Sequence, residues 1–199
     1  MKKIMFSDIY GLTEAVLSGR KTQTRRIVKF SDIDAKYLYD EEWNVGGYVL
    51  ETIIDRYAKY KVNEVIAVAQ SYKDCGYDSD ALDRSPKDLN VVRGTLGESK
   101  GWNNKMFVRS DACKHHIRIT DVRMERLQDI SDEDCIKEGI RDYSTSTERR
   151  YGFSDFKGET IVAFRSLREA YAALIDRISG KGTFESNPYV FVYEFELVK

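Results

Sequence analysis

The chain has 199 residues, of which 42% are hydrophobic and 33% are charged, with a formal net charge of −1. This length suits one domain with its own core, and the balanced charge excludes a globally basic nucleic-acid-binding protein. No apolar run is long enough to cross a membrane, and the first residues (MKKIMFSD) lack the apolar region of a signal peptide. We therefore expect a cytoplasmic protein without a membrane partner.

The first part of the chain predicts strands and one helix. Residues 3–6 predict a short strand, and the apolar spacing in residues 9–16 predicts a helix that ends at Gly19. Residues 43–50 predict a strand interrupted by a Gly-Gly turn, and residues 62–69 predict the most clearly buried strand. A polar stretch with glycine and proline follows and predicts a long loop.

The second part predicts further strands and two helices. The strands are predicted at residues 106–108, 117–123 and 189–197. Ser131 is expected to cap a short helix that Gly139 ends, with Asp134 as the capping-box acid. Residues 141–160 are polar and are expected to be irregular, whereas residues 161–178 predict an amphipathic helix. This order of elements predicts an α+β domain built on a small barrel or curled sheet.

A basic segment follows the first predicted helix. Residues 19–26 read GRKTQTRR, and with Lys29 five of eleven residues are cationic. Concentrated positive charge with hydroxyl donors is typical of sites for phosphate-bearing or other anionic ligands. The candidate ligand-binding residues are Arg20, Thr22, Arg25 and Arg26. The alternative interpretation of such a run is a solvated surface.

The three cysteines predict no metal or cofactor site. Cys75, Cys113 and Cys135 are widely spaced, and Cys113 with His115 and His116 lacks an evident fourth ligand. We expect these thiols to be structural or incidental.

The basic segment also carries a family resemblance. Gly19, Lys21, Thr24 and Arg26 fit the pattern GxKxxTxR, which resembles the signature of the ASCH domain, a relative of the PUA-like RNA-binding barrels. Further similarity to phage and prophage members follows in order. These segments are residues 60–65, 119–131, 138–139 and 187–192.

The resemblance implies a fold and a domain organisation. It implies a PUA-like small β-barrel with flanking helices, formed as one domain by residues 1–199. The chain differs from the compact members by insertions at about 30–58, 73–104 and 140–160.

The resemblance also implies a function. The implied cleft binds RNA, a nucleotide or a modified nucleoside. One branch of the family hydrolyses acetylated cytidine with a lysine, a threonine and a glutamate, which match Lys21, Thr24 and Glu138 here. The resemblance thus implies these three as candidate catalytic residues, and whether the chain is an enzyme stays open.

The chemistry of these three residues sets conditions on the site. A threonine hydroxyl is a poor nucleophile unless a base lies within hydrogen-bond reach, and Lys21 can be that base only if its pKa is lowered. In an extended strand Lys21 and Thr24 point to opposite faces, so the mechanism requires a turn. Glu138 opposes the dipole of its predicted helix, and pairing with Lys21 or an arginine would offset that cost.

Three classes of function remain open from the sequence. The first is binding of RNA, a nucleotide or a modified nucleoside, and the second is an amidohydrolase acting on acetylated cytidine. The third is a phage accessory protein that binds a host protein through the insertions. The sequence does not determine the oligomeric state.

Overall fold

The computed structural model describes residues 1–29, 47–82, 94–155 and 160–198. The chain divides into two compact units. Unit 1 comprises Met1–Phe6, Val65–Ile117 and Leu197–Lys199, and unit 2 comprises Ser7–Glu64 and Arg118–Glu196. Each unit is therefore described by itself.

The described ranges contain eight strands and five α-helices. The strands are β1 (Lys3–Ile4), β2 (Gln23–Ile27), β3 (Val65–Val68), β4 (His116–Arg126), β5 (Arg141–Asp142), β6 (Tyr151–Asp155), β7 (Thr160–Phe164) and β8 (Tyr189–Val198). The helices are α1 (Leu12–Leu17), α2 (Gly47–Tyr57), α3 (Asp132–Lys137), α4 (Leu167–Ser179) and α5 (Thr183–Ser186). None of the helices in these ranges has the length and apolar character needed to cross a membrane.

The strands form two sheets, and neither closes into a barrel. The larger has the order β1-β3-β4-β8-β2, and the smaller has the order β5-β6-β7. A barrel requires the first and last strands to pair, and within the described residues β1 and β2 do not pair with each other. The mixed α+β class is confirmed, but the predicted PUA-like β-barrel is wrong. β1 has only two residues for a closing ladder, and β5–β7 form a sheet of their own.

Unit 1 is organised around two parallel strands. β1 pairs with β3, and Ile66, Ala67 and Val68 of β3 are fully buried, which confirms the buried strand predicted there. The strand predicted at residues 106–108 is wrong, because a 3-10 helix spans Lys105–Phe107. The side chain of Asn104 caps this turn by accepting from the Met106 N–H, and local capping of this kind competes with extended structure.

Unit 2 contains the basic segment. β2 pairs antiparallel with β8 over Gln23–Ile27, which confirms the predicted last strand. Gly19 lies directly after the C-cap of α1 with φ of +74°, as predicted for a helix-ending glycine. Ser131 caps α3 by accepting from the Asp134 N–H, and Gly139 with φ of +105° follows its C-cap, so both predicted ends of this helix are confirmed.

The smaller sheet corrects two predictions in unit 2. Residues 141–160 are expected to be irregular and residues 161–178 to be helical, but residues of both ranges form β5–β7, which extend to Phe164. Gly152 allows this pairing, since a Cβ there would lie 2.0 Å from the Val162 carbonyl oxygen. The helix begins only after Ser166, which forms a capping box with Glu169.

One predicted strand lies partly outside the described residues. Residues 43–46 are outside them, whereas Gly47–Tyr57 form α2, so the strand predicted at residues 43–50 is wrong for residues 47–50. Parts of the three proposed insertions, residues 30–46, 83–93 and 156–159, also lie outside the described residues.

Candidate functional site

Lys21 and Glu138 form a buried ion pair in unit 2. The Lys21 Nζ lies 2.6 Å from Glu138 Oε2 and donates a second hydrogen bond to the Glu138 carbonyl oxygen at 2.7 Å. The two residues are 117 positions apart in the chain, and their side chains are only 2% and 6% exposed. Two of the three candidate catalytic residues are thus in direct contact.

Local backbone structure brings this pair together. The turn after α1 is held by the Lys21 N–H, which donates to the Ala15 carbonyl at 2.8 Å. Glu138 is the C-cap residue of α3, and Gly139 directly after it adopts a positive φ. A Cβ on Gly139 would lie 3.2 Å from Leu12 Cδ2 and 3.7 Å from Lys21 Cδ. A glycine therefore provides both the backbone conformation and the close approach that the pair requires.

Burial perturbs the titration of Lys21. Desolvation lowers the pKa of Lys21, the Glu138 carboxylate opposes this effect, and the charges of Arg26 and Arg25 add to it. Both arginines therefore lower the pKa of Lys21, but burial is the larger cause. A lysine with a lowered pKa gives up its proton more readily than a surface lysine.

Arg25 joins the pair to further carboxylates. Its side chain is fully buried. Its Nη1 donates to Gln23 Oε1 at 2.6 Å and to Glu138 Oε1 at 3.2 Å. Its Nη2 donates to Glu125 at 2.6 Å and to Asp134 at 2.7 Å, and its Nε donates to Glu125 at 3.0 Å. These bonds match the five N–H donors of a guanidinium group, so Arg25 has no donor left for a ligand in this conformation.

The network around the buried pair is rich in carboxylates rather than basic. Arg123 contacts Glu125, Asp134 and Glu194. Within the network Lys21, Arg25 and Arg123 face four carboxylates, which belong to Glu125, Asp134, Glu138 and Glu194. The four carboxylates outnumber the three cations, whereas the sequence suggested a surplus of cations.

Sequence reasoning missed most of these partners. Asp134 was expected to complete a capping box, but its carboxylate binds Arg25 and Arg123 instead. Asp121, Arg123 and Glu125 alternate along β4, so they share one face of that strand. Alternating charge on one face of a strand was a signal that this face meets other charged residues.

Thr24 lies on the other face of β2. Gln23 and Arg25 share one face, as their direct hydrogen bond shows, and the residue between them points away from it. Thr24 lies opposite Tyr193 of β8 and is 4% exposed. Tyr193 in turn contacts Tyr60 edge-on, with ring centres 5.2 Å apart.

The remaining predicted ligand-binding residues have separate surroundings. Arg20 pairs with Glu14 at 2.6 Å, and Glu14 also pairs with Arg141. Thr22 is half-buried and is held by its backbone, which bonds to Lys137 and Phe195. Arg26 is half-buried and lies close enough to Tyr60 to oppose the effect of burial, which raises the pKa of Tyr60 to about 12.

The structure shows no metal-type cluster in the described ranges. No group of three or more histidine, cysteine or acidic side chains there has the arrangement of a metal site. The three cysteines are buried free thiols, and burial raises the pKa of Cys135 to about 12.

Comparisons with known proteins identify no relative of this chain. No protein-family model, no curated protein and no solved structure matches it.

Proposed function

We propose that this protein binds a small nucleoside or nucleotide at the Lys21–Glu138 pair. The observation that carries the proposal is this buried ion pair, whose lysine belongs to the basic segment that resembles the ASCH signature. Burying two charges costs free energy that an apolar pair of similar size would not cost. Perturbed ionisable groups of this kind cluster at functional sites.

Burial favours a small ligand over an RNA strand. A polymer is bound along an exposed track of cations and aromatic rings. Here Lys21 and Arg25 are buried, and Arg20 is occupied by Glu14. The functional groups of the segment therefore suit a compact base or nucleoside that enters the site, rather than a chain that lies across it.

The relationship to the ASCH family is part of this proposal. Its support is the contact between Lys21 and Glu138. The sequence similarity to the family names these same two residues as candidate catalytic residues. The open larger sheet departs from the barrel that the resemblance implies. We accordingly transfer from the family only the ligand class and the residues at matching positions.

Calorimetric titration tests the proposal. The probes are cytidine, N4-acetylcytidine, cytidine monophosphate and a short single-stranded RNA. Wild type is expected to bind at least one mononucleoside probe more tightly than RNA, and Lys21→Met is expected to abolish that binding. The matched control is Arg118→Met, which removes an exposed pair with Glu196 in the same unit and should leave affinity unchanged.

A second variant guards against misfolding. Removing Lys21 leaves the buried Glu138 carboxylate with Arg25 as its charged partner at 3.2 Å, so we expect a loss of stability of up to about 3–5 kcal/mol. Lys21→Met combined with Glu138→Leu removes both charges and is expected to restore most of that stability. If this folded double variant binds the probes as wild type does, the pair is not the binding site.

Hydrolysis of an acylated cytidine is the second candidate function. The observation that favours it is the lowered pKa of Lys21 beside Glu138. In this reaction the Thr24 hydroxyl attacks the acyl carbon, and its proton passes to the neutral Lys21 amine. The C–N bond breaks, the nucleoside amine leaves with a proton, and water then hydrolyses the acyl-threonine ester to release the acid.

The position of Thr24 sets the test of hydrolysis. Thr24 and Arg25 lie on opposite faces of β2. Arg25 shares the Glu138 carboxylate with Lys21, so the Thr24 side chain points away from that carboxylate's arginine partner. Acetate release from N4-acetylcytidine should be compared between wild type and Thr24→Val, which keeps the β-branched shape but lacks the hydroxyl. Equal release by the two proteins would exclude Thr24 as the nucleophile.

A further inference from the structure

Tyr171 has a buried hydroxyl without a hydrogen-bond partner. The residue lies in α4, which packs against α3, and it is 2% exposed. Among the buried side-chain oxygen and nitrogen atoms of the described residues, the Tyr171 hydroxyl lacks a hydrogen-bond partner. An unsatisfied buried polar atom is rare in folded proteins, and it costs about 1–3 kcal/mol.

The Tyr171 ring lies close to Arg25, a member of the candidate site. The Arg25 guanidinium carbon lies 6.0 Å from the centre of the Tyr171 ring. Burial raises the pKa of the Tyr171 phenol, and the nearby Glu138 carboxylate raises it further. The phenol is consequently neutral at physiological pH and keeps its proton as a hydrogen-bond donor.

None of the neighbouring described groups accepts a hydrogen bond from the Tyr171 hydroxyl. Glu138 already accepts from Lys21 through Oε2 and from Arg25 through Oε1. The Tyr171 ring is held in place from another side by Phe184, with ring centres 6.3 Å apart. A neutral donor on a ring close to Arg25 and under the electrostatic influence of Glu138 is suited to an acceptor atom that arrives with a ligand.

We propose that Tyr171 is a further binding residue of the candidate site, whose hydroxyl donates to a carbonyl oxygen of the nucleobase bound at the Lys21–Glu138 pair. This inference rests on the proposed function and names its ligand more closely. Pyrimidine nucleosides carry a carbonyl oxygen next to the glycosidic nitrogen, so they supply an acceptor for the Tyr171 hydroxyl. The competing occupant of the donor is a permanently bound water molecule.

Tyr171→Phe distinguishes these possibilities, because it removes only the hydroxyl oxygen. The probe is cytidine, followed by calorimetry, and the free energy of unfolding is measured without ligand. The matched control is Tyr77→Phe in unit 1, which loses a satisfied hydrogen bond of 2.9 Å to the Ala112 carbonyl. The control should lose some stability and keep its affinity for cytidine.

The expected result for Tyr171→Phe is about a tenfold loss of affinity, the equivalent of one net hydrogen bond, with unchanged or increased stability. Unchanged affinity in a wild type that binds cytidine would overturn the role of Tyr171 while leaving the proposed function intact. Reduced stability with unchanged affinity would assign the hydroxyl to a bound water. If wild type binds no mononucleoside probe, the proposed function and this inference both fail.

Discussion

The Lys21 ammonium contacts Glu138 twice, once through the carboxylate at 2.6 Å and once through the backbone carbonyl at 2.7 Å. The second bond also satisfies one of the carbonyls at the C-terminal end of α3, where intrahelical partners are absent. Lys21 therefore pairs with a side chain and caps a helix through the same ammonium group. A single residue thus couples the basic segment to the end of α3.

The stability of the pair is the first prediction. Glu138→Gln should lower the free energy of unfolding by about 3–5 kcal/mol, because Lys21 and Arg25 then share a neutral partner in a buried place. Denaturant unfolding followed by circular dichroism measures this change. A loss below about 1 kcal/mol would mean that water reaches the pair and screens it.

The second prediction concerns Gly139, which lies next to the Lys21–Glu138 pair. Gly139→Ala should destabilise the protein by more than about 2 kcal/mol, since an alanine at φ of +105° is strained and its Cβ would crowd Leu12. Gly19→Ala is the matched control, because φ there is +74° but nothing lies within 4 Å of the added Cβ. Thermal unfolding should rank the two variants in that order, and the reverse order would contradict the packing around Gly139.

The smaller sheet provides the third prediction. In Gly152→Ala the added methyl group would meet the Val162 carbonyl oxygen at 2.0 Å, so the β6–β7 pairing must shift. Overpacking typically costs 1–3 kcal/mol, and we expect a loss at about the upper end of that range. Hydrogen exchange should increase in β6 and β7, whereas Ser154→Ala in the same strand should leave exchange near that of wild type. Unchanged protection in Gly152→Ala would argue against this pairing.

Acid sensitivity is the fourth prediction. Burial raises the pKa of Asp134, but hydrogen bonds and charge from Arg25 outweigh burial and lower it below 3.8. The hydrogen bond from Arg123 is the main cause that lowers the pKa of Glu194 below 4.5. Depressed carboxylate pKa values stabilise the folded state above the unfolded-state values, and this contribution is lost as pH falls through the folded-state values.

Denaturant unfolding at several pH values measures this loss. The free energy of unfolding of wild type should fall as pH drops below 4.5. Asp134→Asn lacks one of the two carboxylates, so it should be less stable at neutral pH and lose less on acidification. Parallel pH profiles for the two proteins would show that Asp134 titrates alike in the folded and unfolded states.

Local rules predicted the parts of the fold that depend on neighbouring residues. Gly19, Ser131 and Gly139 were assigned to helix ends from their own chemistry, and the structure confirms all three. The opposition of Glu138 to its helix dipole pointed to a cationic partner, and both Lys21 and Arg25 contact it. Each of these rules depends only on residues within about one turn of a helix end.

Partners that are distant in the chain were not predictable in this way. Arg25 lies in a basic run of a kind that is usually exposed to solvent. Its side chain is nevertheless buried and pairs with three carboxylates from separate parts of the chain. The β7 strand was read as the start of α4 because apolar residues continue across Ser166, and the pairing with Gly152 decides otherwise. Closure of the larger sheet depends on which strands meet at its ends, which no local pattern determines.

Carbon-13 spectroscopy of lysine side chains tests the central claim most directly. The Lys21 Cε signal, assigned by its absence in Lys21→Met, should titrate below the ordinary lysine pKa of 10.5 and should shift when cytidine is added. The signal of Lys61, whose ammonium donates to the carbonyls of Ile54 and Asp55, should not respond to the ligand. A Lys21 signal that titrates at 10.5 and stays unchanged at saturating cytidine would contradict the account.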